Sequence, residues 1–364
     1  MVNHGSYGAT TLEVLERQDR WRARMEAAPT LFMQRVLPAA LREAASAVAR
    51  EIGGRGEDVV LVDNATAAVN AVLASFPFAA GDEILLHEHI YGAVLRTANH
   101  VASRTGARVV VARLPFPDTT ADGLLHAFAD AVTPRTRLAI VDHITSGSAL
   151  VFPVARIVAA LRAAGVAVLV DGAHAPGQVP VDIAAIGADW YVGNGHKWWM
   201  GPKGAGFLWA APERQAELHP TIISWGYGEG FTAEFDWTGT RDWSAALVLP
   251  DAIDVHTRLG GEALMSANAR LAASAASMLA RRWGTTAHAP ELHAAMSLVE
   301  LPLTGAMTEE RADQLRGELL ALDCDVPVVA LGDRLWLRLS AQAYNLPEDY
   351  ERVGDLVGML LQRR

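Results

Sequence analysis

Short apolar runs at 59–62, 83–87, 108–112, 138–141 and 167–170 are separated by segments of helical period at 67–75, 93–105, 120–132 and 154–164. Runs this short between amphipathic segments read as strands, and their near-continuous apolar character means that both faces are buried. Strands alternating with helices predict a parallel sheet covered on both sides. Upstream, residues 1–10 are glycine-rich and polar and predict no helix. Thr10 or Thr11 then caps an amphipathic helix through Arg17, Trp21 and Met25, and Pro38 suits the first turn of a helix over 41–52. After residue 197 the pattern changes. A strand is predicted over 204–209, an aperiodic loop rich in glycine and aromatics over 221–242, and helix over 251–282 with a bend at Gly260-Gly261. Strands at 296–301 and 335–339 and helices at 308–321 and 347–362 complete the chain. This places a boundary near residue 250. Residues 21–250 form a large αβα domain, 251–364 a smaller α+β domain, and 1–20 an N-terminal segment.

Composition narrows the class. With 364 residues, 51% hydrophobic and 20% charged, the chain can build two cores. A net charge of -10 argues against nucleic acid or an anionic membrane as partner. The one cysteine, Cys324, excludes an intrachain disulfide and any paired-cysteine metal motif, and suits a reducing compartment. The N-terminus has neither the basic nor the apolar region of a secretion signal, and no apolar stretch reaches about 18 residues. A cytoplasmic protein is the expectation.

The chemistry concentrates where apolar runs end. Asp171 closes the run 167–170, and a short strand over 189–192 leads through a glycine-flanked turn to Lys197. An acid at one strand tip and an amine just beyond the next suit pyridoxal 5'-phosphate (PLP): the acid keeps the pyridine nitrogen protonated and the amine forms a Schiff base. Asn64-Ala-Thr66 lies between a strand and a helix start, placed to hold a phosphate, although Thr66 reads equally as a helix cap. The segment 143–146, with Ser146, follows another strand tip, where open α/β sheets bind ligands. Tyr91, or else His89, is a candidate to stack on a ring. Arg338 interrupts an apolar strand and is either a carboxylate clamp or a solvent-facing position. Cys324 sits between two aspartates, which disfavour a thiolate, and reads as a strand residue.

Taken in order, several segments carry a resemblance. They are Asn3-His-Gly-Ser-Tyr-Gly8, Asn64-Ala-Thr-Ala-Ala-Val-Asn70, Tyr91-Gly-Ala93 and Val170-Asp-Gly-Ala-His-Ala-Pro-Gly177. Gly195-His-Lys-Trp198, Ser224-Trp-Gly226, Thr238-Gly-Thr-Arg-Asp242 and Leu337-Arg-Leu-Ser340 follow. The set resembles the class V branch of fold-type I PLP enzymes, most closely isopenicillin N epimerase and its relatives. The resemblance implies a fold-type I architecture and a homodimer with the active site at the subunit interface. It implies Lys197, Asp171 and Tyr91 as catalytic. Ala65, Thr66, Asn194 and His196 would hold the phosphate, joined by Thr240 from the other subunit, with Ser146 and His174 also near the cofactor. Asn3, His4, Tyr227 and Arg338 would face the substrate, an amino acid whose Cα–H is labilised. Epimerisation is the leading expectation. A C–S lyase or desulfurase-like activity, transamination and decarboxylation are alternatives within the family. From outside it, His87, His89, His143, His174 and Asp171 could form a zinc hydrolase cluster, and a cofactor-free binding protein is a third reading.

Overall fold

The computed structural model describes residues 1–362; residues 363 and 364, the end of the expected C-terminal domain, lie outside the described residues. Seven strands form the larger sheet: β1 Val59–Val62, β2 Glu83–His87, β3 Arg108–Ala112, β4 Thr136–Asp142, β5 Ala167–Gly172, β6 Trp190–Asn194 and β7 Gly206–Ala210. Their order is β1-β7-β6-β5-β4-β2-β3. The pairs β3–β2, β2–β4, β4–β5 and β5–β6 are parallel, whereas β7 runs antiparallel to both β6 and β1. The connection over 195–205 is too short for a crossover, so the chain can only return alongside β6 in the opposite sense.

Alternation along each strand divides the interior in two. On β4, Ala139 and Val141 join one core with Leu85, Val168 and Val170, while Leu138 and Ile140 join the other with Ile84, Leu86 and Leu169. Period-two side chains on a sheet buried on both faces give this split. The helix Leu37–Glu51 serves the first core and Ala65–Ser75 the second.

The smaller sheet comprises β8 Met296–Glu300, β9 Val328–Leu331 and β10 Arg334–Ser340, antiparallel in the order β8-β10-β9. The helices Glu262–Trp283, Glu309–Leu320 and Pro347–Gln362 share its core. Leu249–Arg258 packs instead on Leu37–Glu51 and Leu12–Ala27, and the chain passes to the smaller sheet through Gly260-Gly261, both at positive φ.

Three local expectations are corrected. Residues 1–10 do contain a helical turn, His4–Tyr7, where Gly8 at φ +70° donates its amide to the His4 carbonyl at 2.8 Å. The segment 221–242 contains the helix Phe231–Asp236, held by burial of Phe231 and Phe235. Cys324 lies in the connection before β9 rather than in a strand, buried in the smaller core, and burial raises its thiol pKa.

Candidate active site

The C-terminal tips of β1, β2, β4, β5 and β6 face one edge of the larger sheet, and a cavity of about 480 Å³ opens there. Each parallel strand delivers its last residues to that edge, as the topology of an open α/β sheet requires. β5 contributes Asp171, β4 contributes Asp142 and then Ser146, and β6 contributes Asn194, His196 and Lys197. Beyond β1, Asn64 caps the helix Ala65–Ser75 by accepting the Ala67 amide at 2.9 Å, so Ala65 and Thr66 stand at a helix N-terminus on the cavity wall. Tyr91 closes one side, half exposed, from the start of the helix Gly92–Thr105.

The amine of Lys197 lies 2.9 Å from Nε2 of His174. Burial, reinforced by the Arg338 guanidinium, holds that amine well below the ordinary lysine range. Burial and the neighbouring Asp142 push Asp171 upward, although its Oδ1 accepts the Ala173 amide at 2.9 Å. Asp142 and Asp171 are register partners on adjacent strands and both are buried, so two charges there repel. Burial holds Asp142 well above the carboxylate range. His174 is held far below the usual histidine range by burial and then by Lys197, and burial lowers His196 to about 4.

Arg338 is buried, not solvent-facing. Its Nη1 donates to the Ser146 carbonyl at 2.6 Å, and its Nη2 donates to Asn3 Oδ1 at 3.0 Å and Ser6 Oγ at 2.9 Å. Buried polar atoms without partners surround the cavity: His174 Nδ1, His196 Nδ1, Asp142 Oδ1 and Arg338 Nε. A polar ligand or water in the cavity would satisfy these groups.

The expected residues therefore divide. Ala65, Thr66, Tyr91, Ser146, Asp171, His174, Asn194, His196, Lys197 and Arg338 all line one cavity. Asn3 and His4 do not reach it: both are buried behind it, with Asn3 bonded to Arg338 and Asp325 and His4 to the Lys197 carbonyl. Neither stands on the cavity wall that the expected contact with substrate requires. Tyr227 packs against His219, and Thr240 is exposed, both outside the lining of this chain's cavity. His89 is corrected as a ring partner, since its Nδ1 bonds Ser148 Oγ at 3.0 Å and its ring packs on Phe116. The zinc cluster is also undone. His143 bonds the Tyr191 hydroxyl and His87 lies beside Asp142. No group of three or more histidine, cysteine or acidic residues that could hold a metal occurs among the described residues. Ser6 and Tyr7, from the N-terminal motif that carries the resemblance, also line the cavity, and so does Asp142, which the sequence had not singled out. Asp142 carried the same signal as Asp171, an acid closing an apolar run.

An open, mainly parallel sheet presenting an acid, a desolvated lysine and a helix N-terminus at one edge defines a PLP enzyme of the fold-type I class. The family model described as aminotransferase class-V matches residues 13–353. A rice (Oryza sativa subsp. japonica) protein provisionally named L-cysteine desulfhydrase 1 is 37% identical, over 99% of this chain and 83% of its own. Isopenicillin N epimerase of Streptomyces clavuligerus is 35% identical, over 99% of this chain and 94% of its own. Among solved structures, the cystine C–S lyase C-DES in complex with cysteine persulfide superposes with a TM-score of 0.83 at 22% identity, covering 98% of this chain and 96% of that one. The chain belongs to the class-V aminotransferase family, and its cofactor is pyridoxal 5'-phosphate. No helix among the described residues is long and apolar enough to cross a membrane.

Proposed function

We propose that this enzyme is a C–S lyase acting on a cysteine-type amino acid by α,β-elimination, with one base serving both proton transfers. The observation that carries the reading is the Lys197 amine, desolvated and beside His174 on the cavity wall, while the sulfur of Cys324 is buried in the smaller core. The orphaned buried atoms, the acid, the amine and the helix N-terminus fit PLP. Asp171 would hold the pyridine nitrogen, Lys197 would hold the aldehyde carbon, Ala65, Thr66, Asn194 and His196 would hold the phosphate, and Tyr91 would be the aromatic against the ring. The bound cofactor supplies the electron withdrawal that makes the substrate Cα–H acidic. Arg338 takes the substrate carboxylate, its unpartnered Nε and buried charge being suited to an anion. Lys197 removes the Cα proton and returns a proton to the departing sulfur. From cysteine and water the balanced products are hydrogen sulfide, pyruvate and ammonia. A transferred persulfide would need a thiolate at the cavity, and Cys324 is not there.

Epimerisation is the second reading. Tyr7 and Tyr91 line the cavity, and the hydroxyl of either would be the candidate source of the opposite-face proton that inversion needs. We further infer a homodimer in which Thr240 and Tyr227 act at the partner's cavity. The exposed Ile222, Ile223 and Trp225 in the same segment support that reading, and sedimentation at micromolar concentration checks it.

The test uses the PLP-loaded protein with L-cysteine and with cystine in D₂O. Sulfide or persulfide together with pyruvate is expected, unchanged in Cys324→Ser, and Lys197→Ala should lose both the turnover and the visible band of the lysine-bound cofactor. Inverted, Cα-deuterated amino acid without sulfur release would replace the lyase by the epimerase.

A further inference from the structure

We propose that His4 is a positioning residue for the reacting lysine, and that the turn His4–Tyr7 sets the separation between Lys197 and Arg338. The inference rests on the roles given above to those two residues.

A carbonyl oxygen can only accept, so the 2.9 Å contact between His4 Nε2 and the Lys197 carbonyl puts the ring proton on Nε2, in preference to the longer 3.4 Å approach of the Gln342 amide nitrogen to the same atom. Nδ1 then carries the lone pair and accepts from the Tyr344 hydroxyl, also at 2.9 Å. The ring is fully buried between Trp198 and Tyr344, at 5.2 and 5.7 Å between centroids. One neutral tautomer thus ties the backbone of the reacting lysine to the segment after β10. Two residues on, Ser6 Oγ accepts from Arg338 Nη2, and the Gly5 amide donates to Ser340 Oγ at 3.2 Å. Both ends of the segment are fixed as well: Asn345 donates to the Met1 carbonyl and Thr10 to the Gly201 carbonyl, at 2.9 and 3.0 Å.

A single turn of backbone therefore seats the amine through His4 and the guanidinium through Ser6. An amino-acid substrate presents its Cα and its carboxylate carbon one bond apart, so the two protein groups must keep a fixed spacing. A misplacement of about 1 Å at such a pair costs about a hundredfold in rate. The turn supplies that spacing from outside the sheet.

The experiment compares His4→Phe, His4→Gln, Tyr344→Phe and Ser6→Ala in the full-length protein, with thermal midpoints as the folding control. The first readout needs no substrate: the rate at which added PLP develops the visible band of the lysine-bound cofactor. His4→Phe is expected to slow that rate about tenfold and to lower kcat with KM held within about twofold. His4→Gln returns an N–H to the Lys197 carbonyl and should recover most of both. Ser6→Ala should raise KM and leave the uptake rate alone. Wild-type uptake and kcat in a folded His4→Phe would overturn the proposal, as would a His4→Gln no better than His4→Phe at equal thermal stability. Should His4→Phe fail to fold, Tyr344→Phe decides: slower uptake supports the relay and unchanged uptake refutes it. A visible band surviving Lys197→Ala would instead refute the function proposed above, whatever His4 does.

Discussion

At Gly8 the backbone leaves no room for a side chain. Its φ is +70°, and a Cβ there would lie 2.0 Å from the carbonyl oxygen of His196. Gly8→Ala combines left-handed strain with a clash against the residue before Lys197, a cost of about 1–3 kcal/mol. A lower melting midpoint and slower PLP uptake are expected together, since relief of the clash must move His196 or the turn. Asp142 gives the opposite expectation. Its carboxyl is buried and burial raises its pKa well above the usual range, which favours the neutral form, and Asp142→Asn keeps the shape of that form. Denaturant unfolding of the cofactor-free protein at pH 7 should shift by less than about 1 kcal/mol, whereas Asp171→Asn should cost orders of magnitude in turnover. At this scale Asp171 was legible because it ends an apolar run and Lys197 because it follows a glycine-flanked turn beyond the next one, while Arg338, which interrupts a run, read equally as solvent-facing. His4 and Asn3 were misread as substrate contacts, since nothing in the order of residues shows that Tyr344, Asp325 and Arg338 would enclose them.

The helix Ala65–Ser75 gains its position from its cap. Asn64 Oδ1 takes the Ala67 amide and Asn194 Oδ1 takes the Ala65 amide, each at 2.9 Å, which fixes the first turn against the tip of β6. Asn64→Ala removes the first of these and should cost about 1 kcal/mol of stability. It should also weaken PLP binding several-fold, because a frayed first turn no longer directs its amides and dipole at a phosphate. A fluorescence titration with PLP beside a thermal melt reads both; full affinity with the stability loss would remove this helix from the phosphate site. Strands β1 to β6 and the longer helices were legible because period and length agree over enough residues. The turn His4–Tyr7 and the helix Phe231–Asp236 are too short to show a period, and they exist through contacts with distant parts of the chain. The direction of β7 was hidden for another reason. An apolar run shows that a strand is buried, not which way it points.

Over the whole molecule, burial of histidine makes the fold sensitive to acid. Nine of the twelve histidines are held below their ordinary range, in every case chiefly by burial. His87 falls to about 3, and His4, His89, His143, His196, His288 and His293 to about 4. Between pH 6.5 and 4 the unfolded chain binds protons that the folded one refuses, so these groups contribute stability that is complete above about 6.5 and lost as pH falls toward 4. Asp142, Asp171, Asp236 and Glu51 act in the opposite sense, because burial raises them and the folded state keeps their protons longer. The histidines outnumber them. With each unmatched proton worth about 1.4 kcal/mol per pH unit, unfolding of the cofactor-free protein should become easier by several kcal/mol between pH 6.5 and 5. Urea midpoints at pH 7, 6 and 5 measure it. A midpoint that stays level across those values would mean that the folded state takes up as many protons as the unfolded chain over this range.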